Sequence, residues 1–402
     1  MRSRRAILVE GGSALAIAAT RASAAPQSPN FPFPGGIGAR PLTKDFPQKG
    51  VMVLQRSRPP MLETPFSDFD SGVFTPNDKF YVRWHWSNIP TEIDAKSFRL
   101  AVRGQVENQL SLALPDLLKF ERVEIAAVNQ CSGNSRGFFE PRVPGGQWGN
   151  GAMGNARWAG VRLKDVLEKA GIKANAVAVR FGGLDTAPVS DGPPFKKSLG
   201  VEHARQPEVL IAYAMNGRPL PLLNGYPIRL VVPGWYATYW VKMLNDIEVL
   251  DAPDDNFWMK SAYLVPDALH ADMKPGQTGV TLVPISRMVP RSFITNLGPG
   301  ARLKAGASVS LRGLAMGGDS AVAKVEVSAD GGQNWQAAKL GPDEGTYSFR
   351  RWTATLTMGG AGEGLLAVRC SNLGGDVQPD KPNWNGSGYM RNVVERTPVT
   401  LV

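Results

Sequence analysis

Between about residues 265 and 280 the sequence changes character, and that switch constrains the fold more than any other feature. Over residues 281–402, runs such as ARLKAGASVSLRGLAM, VAKVEVSADGG, NWQAAKL, SFRRWTATLTM and LLAVRCSNL alternate apolar and polar positions between turn residues. Period-two alternation sets one face of a strand on a core and the other in water. Within residues 325–335, Val325 and Val327 alternate with Glu326 and Ser328, and Asp330-Gly331-Gly332 supplies the positive-φ positions that a tight hairpin needs. Several such strands predict an all-β, immunoglobulin-like sandwich over residues 266–402. Upstream, β-like runs (FYVRWHW, FRLAVRG, VEIAAVN, AVAVRFG, IRLVVPG, DIEVL) mix with short helical patterns, as over residues 162–170, where Val166, Leu167 and Ala170 share a face. That mixture predicts an α+β domain over residues 79–265. With 44 glycines and 32 prolines in 402 residues, a strand- and turn-rich chain is favoured over a helical bundle. Residues 25–78, rich in proline and glycine at first, read as an extended arm laid over the domain surface.

The first 24 residues read as an address. Arg2, Arg4 and Arg5 precede a mildly apolar run, and Ala22-Ser23-Ala24 fits a small-residue cleavage site. The paired arginines fit a twin-arginine signal, which exports folded cargo and suits a protein that takes up a cofactor in the cytoplasm. The run holds Glu10 and falls short of the roughly 20 residues that span a bilayer, so a cleaved leader and a periplasmic destination are expected, with no stable membrane anchor. Removing residues 1–24 takes four arginines and one glutamate, so the net charge falls from +10 to +7. No lysine or arginine run with interleaved aromatics accompanies that excess, which argues against nucleic acid and leaves an anionic small substrate or an acidic protein partner. Two cysteines, Cys131 and Cys370, make no disulfide framework, and the absence of C-x-x-C-H excludes c-type haem attachment. Three histidines make a zinc or dicopper site hard to assemble.

Three strings carry candidate chemistry. NQCSGNSRGFF puts Cys131 after a β-like run and before a glycine-containing turn, with Arg136 five positions on, where a basic neighbour favours the thiolate. A buried, inert cysteine is the plainer alternative there; Cys370, among alternating apolar neighbours, reads as core. FYVRWHW sets Arg83 and His85 two apart, on one face of a strand, where a bound anion would compensate their charge; a snorkelling Arg83 beside a satisfied core His85 is the plainer alternative. NGYPIRLVVPGWYATYWVK embeds Arg229 and Lys242 in an apolar, aromatic run, which suits a buried phosphate or pterin-type ligand or, more plainly, an aromatic core with peripheral charges.

The order and spacing of these strings, from about Phe80 to the C-terminus, resemble the sulfite oxidase family of molybdopterin enzymes. The resemblance implies Cys131 as the molybdenum ligand. Tyr81 to His85 match the family's aromatic-x-Val-Arg-x-His motif, with Trp84 where animal and plant members have Asn. GNARWAGVRLKDVL is similar to the segment after the family's active-site tryptophan, which gives Trp148 that role. Arg229, Trp240, Val241 and Lys242 correspond to pterin-binding positions, Asn224 replaces a pterin-contacting histidine, and Asp185 matches a pterin-contacting aspartate. The active-site tyrosine falls at Tyr263. The family's WNxRG-like string is approximated by Gly388-Tyr389-Met390-Arg391-Asn392, suggesting Arg391 as a further anion ligand.

By the same resemblance, the cofactor is molybdenum–molybdopterin with no haem in this chain. The second domain mediates homodimerisation, and the reaction is oxidation of sulfite to sulfate with electrons passed to a separate cytochrome c. Arg83, Arg136 and Arg391 would bind the dianion, Tyr263 would hydrogen-bond near the reacting oxygen and Trp148 would shape the pocket. A sulfane dehydrogenase acting on a carrier protein's persulfide keeps the cofactor and changes the substrate. A thiol nucleophile enzyme pairing Cys131 with a histidine, and a non-catalytic periplasmic binding module, are the readings from other classes.

Overall fold

The stretch that reads as a surface arm is threaded into the fold. The structure, a computed structural model, describes residues 28–402, so the leader expected over residues 1–24 lies outside the described residues. Strands β1 (Leu42–Thr43), β2 (Met52–Arg56) and β3 (Met61–Glu63) form an antiparallel sheet with β4 (Val82–Arg83). Met52, Val53, Met61, Leu62, Lys49 and Glu63 are buried in it. Residues 28–48 keep to the surface, whereas residues 49–64 do not, because their short apolar runs, too brief to show a period, find cover against Val82, Trp84 and Met243.

Residues 100–250 form two further sheets. Their strands are β5 (Leu100–Gly104), β6 (Leu110–Leu112), β7 (Val123–Gln130), β8 (Met153–Arg162), β9 (Ala178–Gly183), β10 (Lys196–Gly200), β11 (Leu210–Met215), β12 (Arg218–Pro219), β13 (Arg229–Val231) and β14 (Leu244–Leu250). One sheet runs β10-β9-β14-β5-β6, with β14 and β5 parallel; the other runs β12-β11-β8-β7, with β13 also paired to β11. The expected helix is Leu163–Ala170, and Leu163, Val166, Leu167 and Ala170 form its buried face. Asp165 lies in its first turn, Lys169 in its last, and Gly171 ends it at φ 70°, where a side chain would be strained. The other helices are single turns, so the α+β expectation is corrected: this region is mostly β.

The second half begins with the hairpin β15 (Leu264–Pro266) and β16 (Leu282–Pro284). There follow β17 (Arg291–Ile294), β18 (Ala301–Leu303), β19 (Ser308–Met316), β20 (Val322–Ser328), β21 (Gln336–Ala337), β22 (Lys339–Leu340), β23 (Arg350–Thr357), β24 (Gly362–Asn372) and β25 (Glu395–Leu401). Sheets β17-β19-β23-β22 and β18-β25-β24-β20-β21 face each other across Leu311, Trp352, Val325, Val327, Leu366, Val368 and Cys370. The hairpin expected at Asp330-Gly331-Gly332 joins β20 to β21, with both glycines at positive φ.

A shared cluster locks the halves together: Phe69, Val128 and Met153 pack with Phe293, Leu314, Met316 and Phe349. Asp70 adds hydrogen bonds from Thr295 at 2.8 Å and Arg312 at 2.9 Å. No helix among the described residues is long and apolar enough to cross a membrane.

Candidate active site

Strand β7 ends at Gln130, and the next residue, Cys131, turns out of the sheet. Its N–H donates to the Ala152 carbonyl at 2.9 Å, and its own carbonyl accepts from Asn134 at 3.0 Å, closing a tight turn. Asn134 Oδ1 accepts the Ala152 N–H at 2.9 Å, so the cysteine loop and residues 146–152 are braced as one unit. The thiol, partly exposed, stands where two cavities meet; Cys131, Arg83 and Tyr263 line both.

The inner cavity lies among Tyr81, His85, Asn129, Ser132, Arg229, Thr238, Trp240 and Lys242, with no carboxylate among its described lining residues. Arg229 is buried over the rings of Trp158 and Trp240, donating to the carbonyls of Asn224 (2.9 Å) and Trp240 (3.1 Å). Burial lowers its guanidinium to about 10. Lys242 donates to the Arg83 carbonyl at 3.0 Å and sits 4.3 Å from the Trp84 ring centre. Burial, then repulsion from Arg229, pulls the Lys242 ammonium down. Asp185, buried and raised by burial, faces that ammonium and does not line the cavity; nor does Val241, which contributes backbone to the sheet. Asn224 does line it, but its amide is engaged: Nδ2 donates to the Tyr81 carbonyl and Oδ1 accepts from Lys49.

Five buried polar atoms around this cavity have no partner: Arg83 Nη1, Asn129 Nδ2, Ser132 Oγ, Arg229 Nε and Thr238 Oγ1. An orphaned buried donor costs about 1–3 kcal/mol, so such a cluster calls for a polar occupant. Orphaned polar atoms, cationic side chains and an adjoining thiol fit an anionic pterin-phosphate cofactor, whose metal Cys131 would ligate.

The outer cavity, about 380 Å3, is lined by Arg56, Met61, Arg83, Cys131, Arg136, Trp148, Tyr263, Gly386, Ser387 and Tyr389 among others. Arg136 donates to the carbonyls of Gly146 (3.3 Å) and Ser387 (3.1 Å) and lies 5.0 Å from the Tyr389 ring centre. It is boxed in: a Cβ added at Gly133, Gly145 or Gly388 would come within 2.7, 2.7 or 2.8 Å of its side chain. Tyr263, at φ 59°, stacks on Tyr389 at 5.4 Å and hydrogen-bonds His85 Nε2 through its hydroxyl. Burial, then Arg83, Lys242 and Lys197, holds the imidazole well below its ordinary value, and burial raises the Tyr263 phenol. The pair is therefore neutral.

The fold thus gathers Tyr81, Arg83, His85, Cys131, Arg136, Trp148, Asn224, Arg229, Trp240, Lys242 and Tyr263 around two joined cavities. Besides Asp185 and Val241, Arg391 also stays outside: it pairs with Glu395 at 3.1 Å, lies over Phe138 and lines neither. The segment that reaches the outer cavity is Trp384-Asn385-Gly386-Ser387-Gly388, which keeps the Trp, Asn and Gly of the WNxRG string and puts Ser387 in the arginine's place. Its Trp-Asn pair was the sequence signal for that alignment. Arg56, Lys49 and Lys197 carry no such signal, because their neighbours become visible only on folding.

Comparison with known proteins agrees with this geometry. Residues 86–258 match the family described as oxidoreductase molybdopterin binding domain, and residues 283–401 match the Mo-co oxidoreductase dimerisation domain. The chain is 35% identical to mitochondrial sulfite oxidase of Mus musculus over 371 residues, covering 87% of this chain and 65% of that protein. It thus spans about two thirds of the length of the animal relatives it matches. It is 31% identical to Arabidopsis thaliana sulfite oxidase, covering 92% of this chain and 99% of that protein. Among solved structures it is similar to the sulfane dehydrogenase SoxCD of Paracoccus pantotrophus, with TM-score 0.73 and 26% identity over 90% of this chain and 88% of that one. A cradle of orphaned donors ending at a thiol, together with these matches, places the chain in the sulfite oxidase family of molybdopterin oxidoreductases.

Proposed function

We propose that the protein oxidises sulfite to sulfate in the periplasm and passes the electrons to a separate cytochrome c, working as a homodimer. One observation carries the reading: Cys131 sits at the junction of a cradle of orphaned polar atoms and an arginine-lined cavity with no carboxylate among its described lining residues. The periplasmic setting rests on reading residues 1–24 as a twin-arginine leader, and the homodimer on the match to the dimerisation domain. The net positive charge suits an acidic cytochrome.

Arg229, Lys242, Asn129, Ser132 and Thr238 would hold the cofactor, and Cys131 would ligate its metal. When bound, the cofactor supplies two-electron oxygen-atom transfer chemistry. Arg83 and Arg136 hold the dianion against the thiol side, each guanidinium offering charge-assisted donors. Trp148 walls the pocket and excludes water. The neutral Tyr263–His85 pair presents a fixed hydroxyl beside the reacting centre without adding a charge that would repel or trap the anion. Replacing Cys131 by Ser should abolish sulfite-dependent cytochrome c reduction; substantial retained turnover would overturn the assignment.

A second reading has its own support. The similarity to SoxCD, with Ser387 where the family string carries arginine, favours a sulfane group borne by a carrier protein. Free sulfite failing as donor while a thiosulfate-loaded carrier works would decide for it.

A further inference from the structure

Strand register aligns three cavity residues in one row. Arg56 on β2 pairs with Met61 on β3, and Met61 pairs with Arg83 on β4. Directly paired residues on adjacent strands project from the same face of a sheet, and all three line the outer cavity. With strands spaced about 4.8 Å apart, the Arg56 and Arg83 backbones stand about 10 Å from each other. Arg136 faces them from the cysteine loop. The three form a gradient of depth: Arg83 reaches the junction with the inner cavity, Arg136 is buried along the wall, and Arg56 is exposed at the mouth.

The row is anchored. Glu63, two residues beyond Met61 on β3, is buried and accepts the N–H groups of Gly151 (2.8 Å) and Gly149 (3.1 Å) on the opposite wall. Gln55, the neighbour of Arg56, donates to the same carboxylate at 2.6 Å. A Cβ at Gly149 or Gly151 would collide with Glu63, so the strand lies flush against the wall that bears Trp148. Arg56 therefore projects from a fixed backbone, and no ion pair among the described residues engages it. An unpaired guanidinium at the mouth of an acid-free cavity raises the local concentration of small anions and offers them a bidentate contact.

We propose that Arg56 is a substrate-binding residue that captures the oxyanion at the cavity mouth before Arg83 and Arg136 hold it at the reacting centre. The proposal deepens the functional reading above by assigning the site a third cation, donated by the N-terminal segment. The test uses purified holoenzyme, wild type against Arg56→Ala and Arg56→Lys. Calorimetric titration with sulfate reads the anion site directly, and steady-state turnover of sulfite reads KM and kcat. Arg56→Ala should weaken sulfate binding about tenfold and lower kcat/KM for sulfite about tenfold, mostly through KM, as expected for one charge-assisted contact. Its kcat/KM should also depend less steeply on salt, and Arg56→Lys should recover part of each loss. Unchanged molybdenum content and Tm would show that the cradle is intact. Sulfate binding within twofold of wild type in Arg56→Ala would overturn the proposal. A wild-type enzyme that binds sulfate but does not turn over sulfite would refute the sulfite reading, and the sulfate titration would still decide the role of Arg56.

Discussion

Replacing Gly388 by Ala tests whether Arg136 is held by its surroundings or merely rests there. Gly388 sits at φ 62°, where a residue with a Cβ pays about 1–2 kcal/mol. That Cβ would lie 2.8 Å from Arg136 Nε and 2.9 Å from its Cγ, the middle of the side chain and not its flexible tip. Gly133 and Gly145 close the other sides, so the guanidinium can only be pushed off its bonds to the Gly146 and Ser387 carbonyls. A displaced Arg136 forfeits its contact with the substrate anion, about 1.5–3 kcal/mol for a charged hydrogen bond. At 1.36 kcal/mol per decade, kcat/KM for sulfite should fall roughly ten- to a hundredfold. Backbone strain should lower Tm by a few degrees. The assay is steady-state, sulfite-dependent acceptor reduction beside calorimetric melting, with Gly360→Ala as control, since nothing lies within 4 Å of a Cβ there. A Gly388→Ala enzyme with kcat/KM within twofold of wild type would refute the clamp.

Three further outcomes follow from the same geometry. In cofactor-free protein a thiol reagent should modify Cys131 quickly and leave Cys370, which is buried and has its thiol pushed up to about 12, untouched until unfolding; equal rates would contradict the division. Burial lowers the Lys49 and Lys197 ammoniums from 10.5 to about 7. Between pH 7 and 10.5 the unfolded chain therefore binds more protons than the folded one, and stability rises with pH across that window. Tm should be higher at pH 9 than at pH 7, and Lys49→Met should flatten the rise; a Tm that falls over this range would refute it. Tyr263→Phe removes the hydroxyl that bonds His85 and should cut kcat by about 10²-fold or more with little change in molybdenum content, whereas an unchanged kcat would remove Tyr263 from the reaction.

What the sequence discloses follows from how far apart the interacting residues lie. The helix at Leu163–Ala170 and the turn at Gly331-Gly332 are written in local spacing and φ requirements, and both form as expected. Cys131, Arg136, Arg229 and Lys242 are legible because each sits in a chemically odd short string. The arm is not, since β2 and β3 hold too few residues to show a period and are ordered by partners far along the chain, as Lys49 is by Asn224. Arg391 illustrates the opposite failure: an attractive residue near a family string, but turned away to Glu395, which it shares with Arg291, while Trp384-Asn385 marks the register that reaches the cavity.

Gly386, Ser387 and Tyr389, which close the outer cavity, belong to the half of the chain that matches a dimerisation domain, just ahead of β25. That half is bolted to the first through the shared Phe69–Phe349 cluster and Asp70. The wall of the outer cavity and the match to a dimerisation domain therefore lie on one stretch of sequence. Selection for a new partner surface would also be free to reshape the pocket, and a change of substrate could leave its mark on assembly.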